Sequence, residues 1–185
     1  MKSPSLLPPL KVVVAGPVGA GKSTFVRAVS ETPVVSSEEH ATEPINKLTT
    51  TVALDFGTIV FDNQPIHIFG TPGQDRFQFM WEILCQGATG LVFLVAGDKP
   101  KDFQSARHIL EFITSRFPIP FIIGVTRQDS RRTWAPDEVA EFFQVPSQFA
   151  LGMDARIEKD CHKALYHLFE LLHRKGQANG HSQPV

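Results

Sequence analysis

Gly16-Pro17-Val18-Gly19-Ala20-Gly21-Lys22-Ser23-Thr24 fits the pattern GxxxxGK[ST], with an apolar run, Leu10 to Ala15, before it and a helix-compatible run, Ser23 to Ser30, after it. A strand, a glycine turn and a helix in that order aim several backbone N–H groups and the positive end of a helix at one point. Such a point suits phosphate. Lys22 is placed to reach the β and γ phosphates of a nucleotide, and the Ser23 hydroxyl to bind the accompanying Mg²⁺. A chance glycine turn would not need all four fixed positions, and all four are present. Gly16, Gly19, Ala20, Gly21, Lys22, Ser23 and Thr24 are therefore the expected phosphate cradle.

A chain of 185 residues suits one α/β domain and is short for two. That domain is expected over 10–175, between a proline- and serine-containing tail at 1–9 and a polar, disordered tail at 176–185. Apolar residues make up 42% and charged residues 20%, and no apolar run approaches the ~20 residues that cross a bilayer. The net charge of −1, without blocks of like charge, argues against nucleic acid or an anionic membrane as the main partner. The histidines show no metal-ligand spacing. Cys85 and Cys161 lie far apart and suit a reducing compartment, and neither end carries a signal peptide or lipidation box. A cytoplasmic protein without a lipid anchor is the expectation.

Downstream of the first helix, Glu31 to Leu48 is a long irregular stretch containing Pro33 and Pro44, and loops of that length are functional or mobile. Thr51 to Phe61 is rich in β-branched and aromatic residues, and Asp62-Asn63 turns it into Ile66 to Phe69, which predicts an antiparallel hairpin. The second strand runs straight into Gly70-Thr71-Pro72-Gly73-Gln74. Phe77 to Gln86 is compatible with a helix more apolar than one buried face requires. Leu91 to Ala96 and Phe121 to Val125 are continuous apolar runs of the kind buried on both faces of a sheet.

Between these runs, Asp102 to Phe117 carries a helical stripe of Phe103, Ala106, Ile109, Leu110 and Ile113. Ala135-Pro136-Asp137-Glu138 opens another helix, with proline and acids in its first turn and Val139, Phe142 and Phe143 turned inward. Phe149 to Met153 reads as the last strand. The final helix, Ile157 to about Lys175, gathers Cys161, Ala164, Leu165, Leu168 and Leu172 on one side, so Cys161 is expected in the core. Six strands alternating with helices predict a three-layer α/β fold, a mostly parallel sheet with helices on both faces and ligand loops at the strands' carboxyl ends.

Three further segments fall at those strand ends. Their order and placement resemble those of Ras-like small GTPases of the P-loop NTPase superfamily, and the chain most resembles bacterial members related to the motility protein MglA. The resemblance runs from Gly16 to Ala155. It implies a GTP/GDP-binding switch with Mg²⁺ as cofactor and a roadblock/LC7-type regulatory partner; slow hydrolysis is expected because no internal arginine finger is evident and Val18 could crowd one supplied in trans. Switch I of such proteins supplies a threonine to Mg²⁺ and the γ-phosphate. Thr49, Thr50 and Thr51 compete for it, with Thr51 chosen on the spacing Thr51-x-x-x-Asp55-Phe56 and Thr50 in reserve.

Gly70-Thr71-Pro72-Gly73-Gln74 occupies the place of the family's Asp-x-x-Gly-Gln. Gly73 is expected to offer its N–H to the γ-phosphate, and Gln74 to orient the attacking water. Gly70 stands where the family has an aspartate near the metal, which weakens the case for strong Mg²⁺ binding. Asp55 and Asp62 could substitute only if turned inward, and the sequence gives no reason to expect it. Thr126-Arg127-Gln128-Asp129 resembles the guanine-reading Asn-Lys-x-Asp. An ionised aspartate accepts two hydrogen bonds and so matches the N1–H and N2–H₂ donors of guanine, a pair that adenine lacks. Arg127 can stack on the base through its planar guanidinium. Thr126, shorter than asparagine, is expected to lose a tie to the phosphate loop. Asp154-Ala155-Arg156 resembles the Ser-Ala-Lys element whose alanine N–H meets the guanine O6.

Gln74 and Lys22 remain for catalysis, and no internal arginine finger is evident. A GTP-binding interaction module that scarcely hydrolyses is the alternative, favoured by Gly70 and Val18. A small-molecule kinase would want an arginine-rich lid that the chain lacks. The apolar segment Phe77 to Trp81 reads equally as core packing or as a docking surface.

Overall fold

The computed structural model of the chain describes residues 8–36 and 54–179. Its elements in chain order are β1 (Leu10–Ala15), α1 (Lys22–Val29), β2 (Val35–Ser36), β3 (Asp55–Phe61), β4 (Gln64–Gly70), α2 (Gln78–Cys85), β5 (Gly90–Ala96), α3 (Phe103–Arg116), β6 (Phe121–Thr126), α4 (Pro136–Phe143), β7 (Ala150–Gly152) and α5 (Glu158–Asn179). The strands form one sheet in the order β2-β3-β4-β1-β5-β6-β7. From β4 to β7 neighbours run parallel, while β3 is antiparallel to both β4 and β2.

Seven strands stand where six were expected. The addition is β2, two residues pairing Val35 with Phe56 and Ser36 with Asp55. Pairing at the sheet edge, not residue type, makes this segment a strand. The β3–β4 hairpin forms as expected, with Asp62 and Asn63 both at positive φ (48° and 63°), a backbone that matches the twist of the flanking strands. The last helix continues to Asn179, past the limit expected at Lys175.

Strand alternation divides the apolar residues into two cores. Val12, Val14, Val92, Leu94 and Ile122 face α1 and α5, meeting Phe25, Val26, Ala164, Leu165 and Leu168. Val13, Ala15, Leu91, Phe93 and Ile123 face α2, α3 and α4, meeting Trp81, Phe103, Ile109, Ile113 and Phe143. Cys161 lies in the first core, as its helical position implied. The segment Phe77 to Trp81 divides between its two readings: Trp81 is buried and donates its indole N–H to the Pro72 carbonyl at 2.8 Å, whereas Phe79 is about half exposed. No helix among the described residues is long and apolar enough to cross a membrane.

Parallel strands share one carboxyl-terminal rim. The segments after β1, β4, β5, β6 and β7 therefore converge there, and β3, running the opposite way, contributes its first residue to the same rim.

Candidate functional site

The loop from β1 to α1 is shaped by its glycines. Gly16 has φ 143°, and a Cβ there would meet the Leu94 carbonyl oxygen at 2.1 Å, so no other residue fits. Helix α1 starts without a side-chain cap and without an acidic residue in its first turn. Its leading amides have no intrahelical partner, and the helix dipole adds positive potential, which is the electrostatic demand for an anion. Lys22 is buried, and burial lowers its pKa to about 8, partly opposed by the charge of Asp55. Its ammonium donates to the Pro17 carbonyl at 2.7 Å.

Beside this loop opens a cavity of about 590 Å³. One end is lined by Gly19, Ala20, Gly21, Lys22, Ser23 and Thr24, the other by Thr126, Arg127, Asp129, Ser130, Asp154, Ala155 and Arg156, with Asp98 between. The segments expected to cradle phosphate and to read the base thus share one space, although Gly19 and Ala155 stand 136 positions apart.

Thr126 corrects an expectation. Its hydroxyl lies 3.0 Å from the Ala20 carbonyl and 3.2 Å from the Val95 carbonyl, so the short side chain keeps the tie to the phosphate loop. Arg127 adds a second, donating to the Gly19 carbonyl at 3.2 Å, and pairs with Asp98 at 3.4 Å. Its positive φ of 62° turns the side chain back toward the loop. Asp129 is exposed within the cavity wall and is held by Arg156 at 2.9 Å. Arg156 also donates to both oxygens of Asp154, from Nε at 2.8 and 3.1 Å, and these bonds hold the Asp154 carboxyl below its ordinary pKa. Arg156 therefore orients two carboxylates at the base end. Asp98 lines the cavity without any signal in the sequence, and Arg156, named there only within Asp154-Ala155-Arg156, lines it through its own side chain.

On the other side of the loop, Gly73 closes against the cradle: a Cβ on it would lie 2.6 Å from the Val18 nitrogen and 2.7 Å from Lys22 Nζ. That approach is open only to glycine. Gln74 is exposed and lies outside the cavity lining. Thr51, with its reserve Thr50, lies outside the described residues.

Asp55 is the second correction. It is buried rather than turned outward, and its Oδ2 accepts from the Ser23 hydroxyl at 2.5 Å. Asp62 sits in the hairpin turn at the opposite rim, remote from Ser23. Among the described residues no group of three or more histidine, cysteine or acidic side chains could hold a metal by itself. Ser23 and Asp55 suit Mg²⁺ carried in with phosphate, which takes few protein oxygens and keeps the rest of its shell from phosphate and water.

A protein-family profile described as "Conserved hypothetical ATP binding protein" matches residues 34–179, beginning downstream of the phosphate loop. Uncharacterized protein MJ1339 of Methanocaldococcus jannaschii is 30% identical over 123 residues, 65% of this chain and 71% of that protein. ADP-ribosylation factor-related protein 1 of Bos taurus is 22% identical over 121 residues, 64% of this chain but only 59% of its own length. Among solved structures, the small GTPase Arl6 (BBS3) of Trypanosoma brucei with bound GppNp superposes with a TM-score of 0.70 at 17% identity, covering 90% of this chain and 99% of that one. The architecture is that of the small GTPases.

Proposed function

We propose, for a chain that belongs to the family described as conserved hypothetical ATP-binding proteins, that its cavity takes GTP and GDP and that the protein works as a nucleotide-dependent switch. The observation that carries this reading is the placement of Asp129 in the same cavity as Lys22 and the uncapped start of α1. The triphosphate lies along the amides of Gly19 to Thr24, with the Lys22 ammonium against the β and γ phosphates. At the far end the Asp129 carboxylate accepts from guanine N1–H and N2–H₂, Arg127 lies against the ring, and Ala155 faces O6. Adenine has a single donor on that edge and leaves the carboxylate underused. The family's description names ATP; the base-end chemistry favours guanine.

Hydrolysis in this reading is slow. Water attacks the γ-phosphorus, the bond to the β–γ bridging oxygen breaks, and GDP and phosphate leave. Mg²⁺, when bound, neutralises charge across the β and γ phosphates. Lys22 stabilises the same oxygens, and in this reading Gly73 donates its N–H to the γ-phosphate, which its close approach to the loop supports. Gln74 orients the water once switch II moves it inward from its exposed position. Among the described residues, the arginines of the cavity wall, Arg127 and Arg156, both stand at the base end, away from the developing charge. The finer relation to MglA-type GTPases and their roadblock/LC7-type partners is supported by the motifs at Gly16–Thr24 and Gly70–Gln74, and half-exposed Phe79 and Ile83 on α2 give such a partner an apolar foothold.

The deciding experiment is Asp129→Asn. Competition binding with GTP, XTP and ATP should show wild-type protein preferring GTP and the variant moving its preference toward XTP. A wild-type preference for ATP, or a variant with unaltered base choice, rejects guanine reading by this residue.

A further inference from the structure

The guanidinium of Arg156 has two acidic partners, and its own loop supplies the nearer one. Asp154 Oδ1 accepts from the Arg156 backbone N–H at 2.9 Å and from Nε at 2.8 Å, while Asp154 Oδ2 accepts from Nε at 3.1 Å and from Nη2 at 2.5 Å. These contacts fix the direction in which the arginine points. The same Nη2 then reaches Asp129 Oδ2 at 2.9 Å, across a sequence separation of 27. A carboxylate oxygen has two lone pairs, so Asp129 keeps acceptor capacity for a ligand while the arginine is bound.

Two carboxylates that share one nitrogen stand close enough to repel each other. Their surroundings add little relief. Asp160 accepts from the Asp154 backbone N–H at 2.9 Å, and Arg127 is paired with Asp98. Among the described residues, no cation besides Arg156 pairs with Asp129 or Asp154. Without it, Asp129 would turn away from Asp154, and packing would not prevent this because its side chain is 63% exposed.

Resting on the guanine reading above, we infer that Arg156 is a positioning residue for base recognition: anchored by Asp154, it offsets the repulsion between the two carboxylates and holds Asp129 facing the base. Asp154 and Arg156 then act as a unit, since Asp154 by itself repels Asp129 and with Arg156 tethers it. The consequence is a sign that simple loss of contacts does not produce. Neutralising Asp154 should help a protein that has already lost Arg156.

The test compares GDP with inosine diphosphate, whose base lacks the N2 amino group and so offers Asp129 one donor fewer. Both compete against a fluorescent nucleotide on the full chain. Arg156→Gln should narrow the preference for GDP by about two- to fivefold, the scale of an exposed ion pair, and Arg156→Lys should keep more of it. Adding Asp154→Asn to Arg156→Gln should restore part of the preference. Circular dichroism checks each variant, and the comparison of Gln with Lys at 156 decides if the double variant does not fold. An unchanged preference in Arg156→Gln, or equal losses of affinity for both nucleotides, overturns the inference, as does a folded double variant no better than Arg156→Gln. A wild type without preference for GDP over inosine diphosphate overturns the guanine reading itself, and this inference with it.

Discussion

Lys22 couples the phosphate site to pH. Its pKa falls to about 8 because burial disfavours the ammonium, and Asp55 recovers only part of the loss. Phosphate favours the charged form, so nucleotide binding should take up a proton once the pH exceeds about 8. Affinity should be level below that point and fall by up to about tenfold per pH unit above it. The stability of the nucleotide-free protein moves the other way. Its folded pKa lies below the ordinary lysine value of 10.5 kept in the unfolded chain, so the unfolded chain binds more protons between about 8 and 10.5, and stability rises with pH across that window. Calorimetry in two buffers of different ionisation enthalpy should detect the proton, and Lys22→Met should remove it; an equal enthalpy in both buffers at pH 9 counts against this account. That Lys22, Ser23 and Asp129 would line one cavity was legible, because their motifs fall at the ends of parallel strands. The burial of Asp55 was not, because it depends on which residue of β4 it faces, and Thr126 was misread because side-chain length alone does not reveal how closely β6 approaches the loop after β1.

Helix α5 shows why the elements were mostly readable. Its apolar residues recur at helical spacing, and Cys161, Ala164, Leu165 and Leu168 are all fully buried against the sheet. Leu165→Ala should cost about 2–5 kcal/mol in urea unfolding, through lost transfer energy and the cavity left in a close-packed layer. Leu165 does not itself line the cavity, so GDP affinity measured on the folded variant should stay near wild type. A cost well below 1 kcal/mol would show that α5 packs less tightly than its burial implies. Strands β1, β5 and β6 were equally plain, each an apolar run covered on both faces. Strand β2 was not, since two residues have no periodicity and Val35 is two-thirds exposed. Its existence depends on the edge that β3 offers.

On the scale of the molecule, sheet order decides which loops meet. The four motifs recognisable in sequence follow four parallel strands and so arrive at one rim, as the alternation of strands and helices implied. The antiparallel β3 brings a fifth contribution that alternation could not announce. With both cavity arginines at the base end and Gln74 outside the lining, single-turnover GTP hydrolysis should proceed at about 10⁻⁴–10⁻³ s⁻¹, the scale of a small GTPase without a supplied arginine. A rate of several per second from the isolated chain would refute the slow switch and point to an acid, base or cation beyond those named.

The indole of Trp81 belongs to the same rim. It is fully buried and tethered to the carbonyl of Pro72, the residue immediately before Gly73. Trp134 is the chain's other tryptophan and lies against Phe103, next to α4. Any displacement of the Pro72–Gly73 peptide must alter the polarity around a chromophore that water does not reach. The protein therefore carries a built-in optical gauge of movement in the loop beside Lys22, readable as tryptophan emission without any label.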